Sequence, residues 1–85
     1  MKIAYSKNFI KQSKKLQPKL RAKLFLAIQT FSTNPLHSDL RNHSLKGKYS
    51  MYRGIDVTGD YRALYLQNGD EVIFDQIGTH AQLYG

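Results

Sequence analysis

Two turn signals, "VTGD" at 57–60 and "NGD" at 68–70, cut the second half of this chain into short segments, and that punctuation constrains the fold more than any other feature. "YSMYRGID" at 49–56, "YRALYLQ" at 61–67 and "EVIFDQIG" at 71–78 each carry the alternation and the Tyr, Val and Ile content of a strand. Strands this short, joined this tightly, predict an antiparallel three-stranded meander. A meander leaves one apolar face that another layer must cover.

The first half supplies the cover. "KIAY" at 2–5 alternates like a further strand, and Ser6 fits the N-cap of a helix through "KNFIKQSKKL". In that helix Phe9, Ile10 and Leu16 are expected to face inward and Lys7, Lys11, Lys14 and Lys15 to face water. Pro18 suits the first position of a second, longer helix, in which Leu20, Leu24, Ala27, Ile28 and Phe31 recur at three- and four-residue spacing until Pro35 stops it. From 36 to 49 the helical period disappears, and the segment reads as a loop closed at Gly47. The predicted order is βααβββ: an α+β fold with an N-terminal strand and a two-helix hairpin packed on a sheet of about four strands. Residues 1–85 leave no room for a second core, so a single domain is expected.

Charge narrows the partners. Thirteen Lys and Arg stand against six Asp and Glu, a formal +7. The first acidic residue is Asp39, and Lys2, Lys7, Lys11, Lys14, Lys15, Lys19, Arg21 and Lys23 all precede it. Such a surface attracts polyanions, nucleic acid first, an acidic protein or an anionic membrane surface by the same field. No apolar run nears the roughly 18 to 20 residues that span a bilayer, and the start lacks a signal-peptide pattern. With no cysteine, disulfides, thiolate catalysis and Cys-based zinc sites are excluded, and a cytosolic location is expected.

The groups able to do chemistry gather in the second half: His43, Lys46, Lys48, Arg53, Asp56, Asp60, Tyr61, Arg62, His80 and Tyr84. The meander returns Gly78, Thr79 and His80 to the start of the middle strand, near Asp60 and Tyr61, so His80 is expected beside a carboxylate. Imidazoles, guanidinium groups and an aromatic ring meet the needs of metal-free RNA cleavage. These are a base for the 2′-hydroxyl, a cation for the developing phosphorane charge, an acid for the 5′-oxygen and a stacking platform. Neither a His pair at i, i+4 nor an HxH pair occurs, a glycine-rich phosphate loop is absent, and neither Ser44 nor Ser50 sits in a nucleophile elbow.

Three segments, "NHSLKGKY" at 42–49, "YRGIDVTGDYRALY" at 52–65 and "IGTHAQLYG" at 77–85, resemble the RelE/ParE superfamily of type II toxins, and within it the YafQ-like messenger RNA interferases. The Gly-Thr-His followed by a small residue, Leu and an aromatic is the most specific of the three. The resemblance covers essentially the whole chain. It implies a ribosome-dependent endoribonuclease that needs no cofactor, and a cognate antitoxin whose complex with the toxin binds operator DNA. It makes His80 and His43 acid–base or phosphate-contacting groups, Asp60 a further catalytic residue and Arg62 the cation facing the phosphorane. Tyr61 falls where the branch often has Trp, and Tyr84 where it has Phe. Asp56 stands where the best-known members have His, and Gln76 where Arg is frequent, so half of the usual base and cation set differs. Tyr61, Tyr84, Lys46, Lys48, Arg53 and Asp56 are expected to serve substrate binding. Two other readings stay open: a ParE-like inhibitor of DNA gyrase without nuclease activity, and a non-catalytic RNA- or partner-binding domain.

Overall fold

The computed structural model describes residues 1–84. Strand β1 (Lys2–Tyr5) leads into helix α1 (Lys7–Lys14) and helix α2 (Pro18–Thr33). After a 3-10 turn at Ser38–Leu40 come the two-residue strand β2 (His43–Ser44) and a second 3-10 turn at Gly47–Tyr49. Strands β3 (Arg53–Asp56), β4 (Tyr61–Asn68) and β5 (Glu71–Thr79) follow, then the short helix α3 (His80–Tyr84). Among the described residues, no helix is long and apolar enough to cross a membrane.

Local chemistry accounts for the helix ends. Ser6 caps α1 by accepting from the Phe9 N–H at 3.1 Å, and Pro18 opens α2. Arg21, counted above with the surface cations, works inside the fold. Its Nε donates to the Ser13 carbonyl at 3.2 Å, and its Nη2 to those of Lys14 and Leu16 at 2.8 and 3.0 Å. One guanidinium thus adds donors to carbonyls at and just beyond the end of α1, where the Ser13 carbonyl also accepts from the Leu16 N–H at 3.2 Å. Helix α1 stops at Lys14, before the predicted Leu16, which nevertheless packs at the margin of the core. Ile10 does not face inward: it is 42% exposed, because Phe9 takes the core position at that turn of the helix.

The sheet has five strands in the order β1-β5-β4-β3-β2, with β1 parallel to β5 and the other pairs antiparallel. The meander stands where the turn signals put it. The fifth strand, β2, lies within the segment read as a loop, since two residues carry no readable period. The strand expected over 49–56 begins only at Arg53, because Tyr49 and Tyr52 are in a turn, with ring centroids 5.9 Å apart and the Tyr52 N–H bonded to the Tyr49 carbonyl at 2.9 Å.

One face of the sheet, with Ile55, Ala63, Tyr65, Val72, Phe74 and Ile77, forms a single core with Phe9, Leu24, Ala27, Ile28 and Phe31 from the helices. A register shift between Leu64 and Tyr65 leaves Asp75 as an extra residue on β5, which lets both Phe74 and Ile77 face the helices. The Asp75 carbonyl then accepts from Ser6 Oγ at 3.2 Å and Asn8 Nδ2 at 3.0 Å, tying the start of α1 to the sheet. The opposite face carries Gly54 paired with Leu64, Asp56 with Arg62, and Arg62 with Gly78. Helix α3 lies over this face at the end of β5. A Cβ on Gly78 would meet Gln82 Oε1 at 3.1 Å and Leu83 Cγ at 3.4 Å, so the close seat of α3 depends on glycine there.

Candidate active site cleft

The wall that bears His80 is built by a reciprocal cap. Thr79 Oγ1 accepts from the Gln82 N–H at 3.1 Å, and Gln82 Oε1 accepts from the Thr79 N–H at 2.9 Å, the Thr-x-x-Gln form of a capping box. The cap starts α3 at His80, whose own N–H reaches the Asp60 carbonyl at 3.3 Å. One helical turn later Tyr84 comes under the imidazole, with ring centroids 4.7 Å apart and planes at 62°. Tyr49 packs edge-on against Tyr84 at 5.5 Å and also contacts Tyr52, whose hydroxyl donates to Asp75 Oδ2 at 2.6 Å. This bond, aided by burial, holds the Tyr52 phenol above the usual range. Burial likewise raises the Tyr84 phenol, with the Arg62 charge pulling against it, and Tyr84 Oη is buried without a hydrogen-bond partner among the described residues.

The opposite wall is β2. His43 pairs with Gly54, and the imidazole lies so close that a Cβ on Gly54 would meet its Cε1 at 3.6 Å and Leu64 Cδ2 at 3.3 Å. The His43 Nδ1 is 2.7 Å from the Arg41 carbonyl. A carbonyl only accepts, so Nδ1 carries the hydrogen, and neutral His43 has its lone pair on Nε2. Arg41 itself adopts a left-handed backbone, with φ at 47°, as it closes the 3-10 turn.

Between the walls lie Asp56 and Arg62, cross-strand partners on β3 and β4. Arg62 Nε donates to Asp56 Oδ1 at 2.9 Å, and Arg41 Nε lies 3.4 Å from Asp56 Oδ2. The open cleft has a volume of about 650 Å³ and is lined by Arg41, His43, Ser44, Leu45, Lys46, Asp56, Arg62, His80 and Tyr84. Cations outnumber the single carboxylate, which suits a phosphodiester, and two imidazoles on facing walls suit proton transfer at its two ends.

Six of the expected residues therefore converge: His43, Lys46, Asp56, Arg62, His80 and Tyr84. Four do not line the cleft. Asp60 is exposed on the turn, and its link to His80 is through its backbone carbonyl rather than its carboxylate, because the 57–60 turn directs that carbonyl at the first N–H of α3. Tyr61 points to the helix face, as alternation along β4 requires, and packs at the edge of the core. Arg53 is on that face too, its Nε donating to Asn42 Oδ1 at 2.9 Å. Lys48 sits over the Tyr49 ring with Nζ 5.3 Å from the centroid. Reading the sequence missed Arg41, Ser44 and Leu45. Arg41 stands two residues before His43 in "RNHSL", a spacing with no recognisable pattern of its own.

Comparisons with known proteins identify the family and match the fold. The sequence model of the family described as "Bacterial toxin of type II toxin-antitoxin system, YafQ" matches residues 1–85. The mRNA interferase toxin YafQ of Escherichia coli K12 is 28% identical over 81 residues, covering 95% of this chain and 88% of that one. The crystal structure of YafQ from E. coli strain BL21(DE3) superposes with a TM-score of 0.83 at 29% identity, over 98% of this chain and 97% of that one. The toxin of the E. coli DinJ–YafQ toxin–antitoxin complex superposes at 0.81 with 30% identity, over 98% and 96%. By its full-length match and its fold, this chain belongs to the YafQ family of bacterial type II toxin–antitoxin toxins.

Proposed function

We propose that this chain is an endoribonuclease that cuts messenger RNA on the ribosome by attack of a 2′-hydroxyl on the adjacent phosphorus. The observation that carries the reading is the convergence of His43, His80, Arg62 and Lys46 on one cleft. Its YafQ relatives bear the name mRNA interferase toxin. In this scheme Nε2 of His43 takes the 2′-hydroxyl proton, since its Nδ1 already carries one toward the Arg41 carbonyl. The new O–P bond forms as the P–O5′ bond breaks, and His80 gives its proton to the departing 5′-oxygen. The products are a 2′,3′-cyclic phosphate and a free 5′-hydroxyl. Arg62 meets the charge that gathers on the phosphorane, and Tyr84, backed by Tyr49, offers a ring edge or face to a base. Side chains supply every proton and charge in this sequence, so it calls for no metal or cofactor.

An antitoxin is the expected partner. The E. coli relative was crystallised with the antitoxin DinJ. A cognate antitoxin here would place acidic groups over the cationic cleft, and the pair would bind operator DNA. Both would act in the cytoplasm.

His80→Ala in a translating extract tests the reading. Cleavage is expected to fall at least roughly 100-fold while the thermal midpoint stays within a few degrees, because His80 is exposed and its main loss is one ring contact. Cleavage by the wild type is expected to persist in excess chelator. Unchanged cleavage in His80→Ala would remove His80 from the reaction, and accumulation of cleaved DNA in a gyrase assay would replace the nuclease reading.

A further inference from the structure

Asp56 offers little to an incoming polyanion. Its side chain is only 12% exposed, and both carboxylate oxygens are engaged, Oδ1 by Arg62 Nε at 2.9 Å and Oδ2 by Arg41 Nε at 3.4 Å. A carboxylate also repels a phosphodiester. What Asp56 does is fix another group. Arg62 Nε is held by Asp56, while Nη1 donates to the Gly59 carbonyl at 3.2 Å and more loosely to that of Thr58 at 3.4 Å. These bonds pin a planar, rigid fork along two of its edges. Among the described residues, Nη2 has no hydrogen-bond partner. The two side chains also spring from a clamped backbone, since Asp56 pairs with Arg62 across the ladder and the Val57 N–H bonds the Tyr61 carbonyl at 2.9 Å.

We propose that Asp56 is a positioning residue: through its cross-strand bond it orients the Arg62 guanidinium, leaving Nη2 to meet a non-bridging oxygen of the scissile phosphate as charge gathers there. The inference rests on the endoribonuclease reading and deepens it, giving the one carboxylate of the cleft a role that is neither proton transfer nor substrate contact. Arg41, 77% exposed at the rim, flanks that carboxylate from the other side, 3.4 Å from Oδ2. A donor held in place before the reaction stabilises the transition state more than the ground state.

The test is a double-mutant cycle on Asp56 and Arg62 read by single-turnover cleavage at several RNA concentrations, with a thermal melt of each variant. Asp56→Ala is expected to lower the maximal rate roughly 10- to 100-fold with a half-saturating concentration within about threefold of wild type. Asp56→Asn, which keeps an acceptor for Nε–H, is expected to recover most of that loss. In an Arg62→Ala background, Asp56→Ala is expected to cost less than about twofold more, because nothing is left to orient. Multiplicative losses, equal losses for the Ala and Asn variants, or faster cleavage in Asp56→Ala would overturn the proposal, as would a loss that follows the fall in melting temperature. His80→Ala and the wild type run alongside. A wild type that does not cleave RNA overturns the underlying reading and this inference together, whereas multiplicative losses in a wild type that cleaves overturn the inference alone.

Discussion

Tyr52 and Tyr84 share one aromatic cluster but do opposite work for stability. The Tyr52 hydroxyl is satisfied by the Asp75 carboxylate, so Tyr52→Phe is expected to cost about 1 to 2 kcal/mol in chemical denaturation at neutral pH. The same bond gives alkaline sensitivity. Both native and unfolded phenols are protonated well below about pH 10, so the contribution is intact there. Above that pH the unfolded chain ionises first, and the stability drains away as the pH rises through the raised native value. Tyr52→Phe is expected to flatten that decline in a pH series of unfolding curves. The Tyr84 hydroxyl is buried without a partner among the described residues, so Tyr84→Phe is expected to leave the melting temperature unchanged or raise it by a few degrees. The histidines and Arg62 were legible in the sequence as chemistry-bearing types near predicted turns. Arg41 was not, because its part depends on a left-handed backbone and a carbonyl contact that only the folded chain defines.

Helix α3 shows how an element can carry a site it scarcely stabilises. It is five residues long, held to β5 by the Thr79–Gln82 cap and by close packing on Gly78, yet it bears both His80 and Tyr84. Gly78→Val is therefore expected to separate activity from stability, with cleavage down more than roughly tenfold for a loss of about 1 to 2 kcal/mol in a denaturant melt. The sequence reading ended the last strand at Gly78 and assigned no element to the residues after it. The Thr-x-x-Gln pattern was there to announce a helix, but a single turn leaves too few residues for a period to show. The bulge at Asp75 was equally invisible. Alternation alone would have set Phe74 and Ile77 on opposite faces, and only the need to bury both against α1 and α2 decides otherwise. The meander was legible because its turns are tight and chemically marked; β2 was not, because two residues pair at an edge without a pattern of their own.

At the scale of the whole molecule, charge and core divide the labour. The excess of cations lies on exposed parts of the helices and around the cleft, so affinity for single-stranded RNA is expected to fall roughly tenfold or more between 50 and 200 mM salt. Fluorescence anisotropy with an oligonucleotide carrying a 2′-deoxy sugar at the scissile position measures this without cleavage. The core is small, and Phe31 touches both Tyr65 and Phe74 edge-on, at 4.8 and 5.3 Å between centroids. Phe31→Ala is expected to cost about 3 to 5 kcal/mol, enough to unfold much of the population at 37 °C, as circular dichroism would show. The parallel pairing of β1 with β5 has a further consequence, in time rather than space. Ser6 and Asp75 hydrogen-bond across 69 residues of chain, and β1 has no other neighbour in the sheet. Contacts this distant form late, after a large loop has been closed. A growing chain that has passed Asn68 but not Thr79 has only β2, β3 and β4 to pair, and β1 is left without a mate. Strand β5 and helix α3 thus complete the core and the cleft together, since β5 joins β1 to β4 and α3 carries His80 and Tyr84.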